Sequence, residues 1–394
     1  MNENLDFASR AAYYPPEPDS HSISYPIYMS ANYQYDDDIY DQIVEGARKD
    51  VNIYSRCGNP TEYQLEDHVA QLSGADACLV TASGMAAISH TVLSLLKVGD
   101  HLVTDLTTYS STHEFFDHRI QDFGIDVTFV DSTDLEAVEQ AMTDRTKLLY
   151  IETIANPTMK VAPLRALTDL AHARGVVVVC DNTFASPAVC RPHEHGVDVV
   201  VESATKFMSG HNDAVAGTIT LRSEILDKDW LEWVRWNTLT KLGGALSPFN
   251  SWLVLRGLQT LDVRLERQTK NATALAEWLE RQPQVRQVFY PGIESHPQHA
   301  EAQKILDRPG AMLSFSLSTE EEAVRVLKAL RLGSFAASLG GVRTVTQVPG
   351  TMAFLDIPEH EREAMGVTPG MIRVSVGIES ARDIINDFEQ AMAG

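Results

Sequence analysis

The sequence predicts an α/β protein: a mostly parallel sheet covered by helices, followed by a smaller α+β domain. Three observations carry this. From about residue 60 to 220, short apolar runs alternate with helical ones, the pattern of strands joined by crossover helices. One of those runs, 176–181, is nearly pure valine before it ends in Asp181. After about residue 240 the pattern changes to long helical stretches with two further strands.

In chain order, residues 1–50 are rich in tyrosine and proline with little periodicity, and predict an extended arm that needs another surface to order it. The segment 51–245 forms the large domain. Its strands are expected at Ala77–Thr81, His101–Asp105, Asp126–Asp131, Lys147–Thr153, Val176–Asp181, Val197–Ser203 and Gly217–Arg222. Leu65, Val69 and Leu72 recur at helical spacing, as do Leu164, Leu167 and Leu170, whose helix ends at Gly175. The segment 246–394 forms the smaller domain. Pro248–Gln282 reads as nearly continuous helix joining the two, and strands Met312–Leu317 and Ile372–Val376 alternate with amphipathic helices Glu320–Leu330 and Ala381–Met392.

Composition narrows the function. A net charge of −22 over 394 residues, with no basic patch, argues against nucleic acid or an anionic membrane as partner. The run Asp36, Asp37 and Asp38 reads as a solvated turn. Cys57, Cys78, Cys180 and Cys190 show neither paired spacing nor the density of a disulfide framework, which points to a reducing cytoplasm. The first residues lack a leader pattern, and no apolar stretch approaches a membrane span. His193 and His195 sit in a loop without further ligands at usual spacings, so no metal is expected.

Ligands of parallel sheets gather at the carboxyl ends of strands, where Thr81, Asp105, Thr153, Asp181 and Ser203 fall. Just beyond lies Lys206, among small hydroxyl residues. Such a lysine loses hydration, which favours the neutral amine that attacks an aldehyde; a strand-ending surface lysine is the alternative. Ser203 and Thr205 beside it are candidate donors to an anion. Ala82–Ala87 follows a strand and opens a helix, so its small residues suit either a phosphate at the helix N-terminus or tight helix packing. Asp181 ends the most apolar strand, where it either pairs with a protonated pyridine nitrogen or caps a helix. Tyr109 is placed to stack on a flat ring.

Together, Tyr54–Thr61, Ala82–Ala87, Glu152–Thr158, Asp181–Ala185, Ser203–Phe207 with Gly210 and His211, Leu246–Phe249, Ser338–Gly341 and Arg373–Glu379 resemble the landmarks of the Cys/Met-metabolism (trans-sulfuration) family of fold-type I enzymes dependent on pyridoxal 5'-phosphate (PLP). The resemblance runs from about residue 24 to the C-terminus. It implies that Lys206 carries the cofactor and later moves protons, and that Asp181 pairs with the pyridine nitrogen. Backbone at Gly84 and Met85, Ser203, Thr205, and Tyr54 and Arg56 from a neighbouring subunit would hold the phosphate. Tyr109 would stack and assist proton transfer, Asn156 would meet the ring hydroxyl, and Ser338 with Arg373 would hold the substrate carboxylate. A homotetramer built from two dimers with shared sites, the N-terminal arm clasping a neighbour, is implied as well.

The implied reaction is γ-elimination on a γ-substituted L-amino acid, through a Cα carbanion and a vinylglycine-type intermediate, as in methionine or cystathionine γ-lyases. Alternatives are γ-replacement, as in O-acylhomoserine sulfhydrylases and cystathionine γ-synthase, and canavanine γ-lyase chemistry releasing homoserine. A β-lyase, an aminotransferase and a non-catalytic scaffold are weaker readings. The chain departs from the family where specificity is set. Tyr109 is followed by Ser110 and Ser111, with Glu114 close behind; Ser111 stands where methionine γ-lyases often have cysteine. Arg343 stands where cystathionine-using relatives usually have Glu, and Phe354 replaces a polar residue, which predicts an apolar lining. Arg343 would oppose a guanidine-bearing substrate if it faced the pocket.

Overall fold

The computed structural model describes residues 5–18, 21–35, 38–44, 52–352, 354–355 and 357–393. Asp36 and Asp37 of the acidic run, the 45–50 end of the arm and residue 51 lie outside them. Within the arm, Phe7–Ala12 is helical and packs on its own chain: the buried His68 ring bonds Ala11 O through Nε2 at 3.2 Å and meets Tyr14 edge-on. Six residues are too few for periodicity to reveal them.

Among the described residues seven strands form the larger sheet: β1 (Ala77–Thr81), β2 (His101–Asp105), β3 (Asp126–Val130), β4 (Thr146–Glu152), β5 (Val177–Asp181), β6 (Val199–Glu202) and β7 (Gly217–Leu221). Their spatial order is β1-β7-β6-β5-β4-β2-β3. All neighbours run parallel except around β7, which is antiparallel to both β1 and β6. The central β5 is buried along its whole length, with Val178, Val179 and Cys180 at 0 % exposure. Helices on both faces supply that cover, which is why this strand reads as an unbroken apolar run. The packing of Leu65, Val69 and Leu72 from the Pro60–Ser73 helix on one face and of Ile88 and Val92 from the Gly84–Leu95 helix on the other completes the sandwich.

A buried ion pair locks one edge. Arg235 Nη2 donates to Glu66 Oε2 at 2.6 Å, and Val80 N donates to Glu66 Oε1, so one carboxylate joins three elements. Neighbouring Glu62 is pushed up to about 9 by burial and by Glu66. His193 is likewise structural, bonding Val197 O and Thr220 Oγ1, with its pKa lowered to about 4 by burial.

Among the described residues the smaller sheet has five strands, not two, in the order β10-β11-β12-β9-β8: β8 (Gln287–Phe289), β9 (Met312–Ser316), β10 (Ser334–Phe335), β11 (Val345–Gln347) and β12 (Met371–Ser375). The three additional strands are two or three residues long, below the length at which alternation shows. The expected continuous helix breaks into Pro248–Leu258 and Leu261–Leu279. The break follows a close approach: a Cβ on Gly257 would lie 2.3 Å from Ser209 O and 2.5 Å from Met208 O. Across this joint Arg264 donates to Phe207 O at 2.8 Å and to Gly257 O at 2.9 Å. One turn on, Gln268 Nε2 donates to Gly341 O and Val376 O, both at 2.9 Å.

Candidate active site

The carboxyl ends of β4, β5 and β6 open into a cavity of about 560 Å³ between the two sheets' structures. Lys206, Tyr109, Gly84, Met85, Asn156, Asp181, Ser203, Thr205, Ser338, Arg373, Ser111 and Glu114 all line it. This is the placement expected of a parallel sheet, where loops after the strands converge on one ligand.

Lys206 stands in the turn after β6, its Nζ donating to Ser338 Oγ at 2.9 Å. Burial, with the Arg373 charge adding to it, lowers its pKa from 10.5 to about 8. At neutral pH that raises the share of free amine roughly 300-fold over an ordinary lysine. Ser338 adopts a left-handed backbone conformation, φ 82°, which serine adopts only at a cost.

Asp181 ends β5 with its carboxylate in the cavity floor. Thr183 N donates to Oδ1 at 2.9 Å and the fully buried Tyr150 hydroxyl to Oδ2 at 3.3 Å. Burial nevertheless raises its pKa, against those hydrogen bonds. None of the ion pairs among the described residues includes Asp181, so a cationic ring nitrogen would answer a charge that the chain leaves uncompensated. Sequence reasoning missed Tyr150 and Thr183; a lone tyrosine inside the apolar Leu148–Ile151 run was the available signal.

The Gly84–Leu95 helix points its N-terminus at the cavity, with Ser83 capping Ala86 N at 3.1 Å. A Cβ at Gly84 would come 2.7 Å from Ser203 Cβ, so only glycine lets this backbone meet the Ser203 turn. Free N–H groups at a helix start, lined by small residues, fit a phosphate. The Thr205 hydroxyl is engaged with Ala216, donating to its carbonyl at 3.1 Å and accepting from its N–H at 3.0 Å, so it braces the lysine turn as well as facing the cavity.

On the opposite wall, Arg373 is buried, held by Asn156 Oδ1 at 3.0 Å and Ser338 O at 3.1 Å. Its Nε has no partner among the described residues, and burial lowers its pKa to about 10. A guanidinium so desolvated, with donor capacity to spare, suits a carboxylate. The amine, the uncompensated carboxylate, the helix N-terminus and this guanidinium therefore fit PLP and an amino acid bound on it.

Four of the expected residues lie outside this cavity. Tyr54 and Arg56 do not line the cavity of their own chain; Arg56 donates to Thr240 O at 2.8 Å and sits over the Tyr54 ring. Arg343 is exposed and lines an adjoining hollow with Asn212, Asp213 and Val345. Phe354 does not line the cavity either: it is buried against Ile357, Met365, Val367 and Leu106. The apolar contribution comes from Met352, two residues earlier, because the Pro349–Met352 turn carries Phe354 away into its own small cluster.

Among known proteins, the chain matches the family described as Cys/Met metabolism PLP-dependent enzyme over residues 11–393. It is 40% identical to the L-methionine gamma-lyase of Fusobacterium nucleatum subsp. nucleatum, covering 94% of this chain and 93% of that protein. It is 38% identical to the cystathionine beta-lyase of Coxiella burnetii, covering 96% and 95%. Among solved structures, a putative O-acetylhomoserine (thiol)-lyase from Campylobacter jejuni, which holds a pyridoxyl-lysine monophosphate, superposes with a TM-score of 0.95 at 29% identity, covering 99% of this chain and 100% of that one. A fold-type I architecture, a cavity built to the needs of a pyridine phosphate and a match along nearly the whole chain lead to one conclusion: the protein belongs to the Cys/Met metabolism enzymes and works with PLP.

Proposed function

We propose that this enzyme cleaves the bond between Cγ and its heteroatom in a γ-substituted L-amino acid by γ-elimination, giving a 2-oxo acid, ammonia and the freed leaving group. The observation that carries this is a single cavity in which a poised amine, Lys206, faces a carboxylate clamp, Arg373. When bound, PLP supplies the electron sink that makes the substrate Cα and then Cβ acidic. Arg373 and Ser338 hold the substrate carboxylate, which turns the Cα–H toward Lys206. Lys206 Nζ would take that proton, and its depressed pKa suits both taking and returning protons near neutrality. Tyr109 would cover the ring and assist proton transfer, Asn156 would meet the ring hydroxyl, and Asp181 would keep the ring nitrogen protonated.

Gly84, Met85, Ser203 and Thr205 would hold the phosphate, completed by Tyr54 and Arg56 of a partner subunit, a reading supported by both lying outside their own chain's cavity. The working unit is accordingly a dimer, two of which form the tetramer, in the cytoplasm. The methionine and cystathionine activities named for the relatives support a thioether substrate.

A second reading has its own support. Glu114 lines the cavity one turn from Ser111, whereas the opposing charge of Arg343 lines the neighbouring hollow. A leaving group with N–H donors, such as an oxyguanidine, would pair with that carboxylate in two places. The products from canavanine would then be homoserine and hydroxyguanidine, with water entering at Cγ.

The test is to incubate holoenzyme with methionine, cystathionine, cysteine, O-acetylhomoserine, O-succinylhomoserine and canavanine, measuring 2-oxo acid, ammonia and homoserine. Oxobutanoate and ammonia from thioethers are expected. Homoserine from canavanine, lost selectively in Glu114→Gln, supports the second reading. Product only with added thiol marks γ-replacement, and turnover only with a 2-oxo acid acceptor would overturn elimination altogether.

A further inference from the structure

Glu152 lies in the cavity wall, buried at the carboxyl end of β4 and directly in register with Asp181 on β5. Its Oε1 accepts from Tyr109 N at 2.6 Å and its Oε2 from Asn156 N at 3.1 Å. The first contact fixes the residue that opens the Ser110–Glu114 helix, and with it the wall formed by Tyr109, Ser111 and Glu114. The second fixes the residue whose side chain holds Arg373. Two loops of the cavity wall are thus fastened to the two oxygens of one planar carboxylate.

Placing it there is costly. Burial, and then the Asp181 charge beside it, push Glu152 well above the carboxylate range, and none of the ion pairs among the described residues includes it. The two backbone N–H donors pull the other way, toward the charged form, and neither an amide nor a hydroxyl offers two acceptors spread in a plane.

We propose that Glu152 is a positioning residue that holds the Tyr109 wall and the Asn156–Arg373 wall at a fixed separation, so that ring and substrate carboxylate are aligned for proton removal by Lys206. This rests on the roles given above to Lys206 and Arg373. Catalysis is sensitive to such spacing, since misplacement by about 1 Å costs on the order of 100-fold.

Holoenzyme carrying Glu152→Gln is compared with wild type and Glu152→Asp. The measurements are visible circular dichroism per bound cofactor and turnover of methionine and canavanine. Hydrogen exchange at the amides of Tyr109 and Asn156 is followed in cofactor-free protein. Glutamine leaves one backbone N–H facing another donor, so faster exchange at one of those amides is expected. Weaker dichroism at unchanged cofactor content should accompany it, with kcat/KM about 100-fold lower. KM should rise as kcat falls, because Arg373 loosens with Asn156. Aspartate keeps both acceptors on a shorter stem and should fall between, and it carries the same readouts if the glutamine variant does not fold. A lowered Tm with dichroism and KM unchanged, or kcat/KM within about threefold of wild type, would overturn the proposal. If wild type turns over neither substrate, the functional reading is at fault, while dichroism and exchange still decide the role of Glu152.

Discussion

Replacing Lys206 with methionine in the cofactor-free protein measures what it costs to keep a reactive amine ready. Burial and the Arg373 charge lower this lysine from 10.5 to about 8 in the folded chain. Between those values the unfolded chain binds more protons than the folded one, so stability rises with pH across that window. Below about pH 8 the folded state bears the whole penalty. The shift corresponds to about 3 kcal/mol. Partial solvent contact of Lys206 and loss of its hydrogen bond to Ser338 reduce the expected net gain of the variant to about 2 kcal/mol. Urea unfolding of both proteins, at equal concentration and at about pH 7, 8.5 and 9.5, reads the difference. Lys206→Met should be the more stable protein at pH 7, and the gap should close as pH rises above 8. A gap that is absent at pH 7, or that does not change with pH, would refute the reasoning.

Gly84→Ala puts a methyl 2.7 Å from Ser203 Cβ and should weaken PLP binding about tenfold or more in a fluorescence titration; unchanged affinity would deny that the helix start is the phosphate site. Arg373→Lys keeps the charge and loses the planar fork, so KM for the amino acid should rise by about 100-fold while kcat falls less; an unaltered KM would place the substrate carboxylate elsewhere. Arg235→Met strands Glu66, which is 0 % exposed, and should cost about 3–5 kcal/mol in urea unfolding; a loss below about 1 kcal/mol would mean that the cluster is not held by this pair.

The larger sheet was legible because its central strands are buried on both faces, and burial writes itself into composition: the run ending at Asp181 can hardly be anything else. Lys206, Asp181 and Gly84 each had an ordinary structural reading in the sequence; only their shared place at the carboxyl ends of strands marked them as one group, and the cavity brings the three together. Tyr150 and Glu152 were not legible, because both sit inside strand β4, where a tyrosine and a terminal glutamate look like ordinary packing. The placement of Arg343 and Phe354 was illegible for a different reason. Both lie on irregular backbone, where no period says which way a side chain points, and a displacement of two residues exchanged Phe354 for Met352.

The joint at Gly257 has a consequence for how such a cavity diversifies. Arg264 grips the carbonyls just after Lys206, and Gln268 grips those beside the Ser338–Gly341 loop and just after Arg373. A single rigid rod therefore gauges the distance from amine to carboxylate clamp. The Ser110–Glu114 and Pro349–Met352 segments hang outside that gauge. Sequence drift there can retune which leaving group is admitted without detuning the proton transfer, as a lock is rekeyed while its bolt stays true.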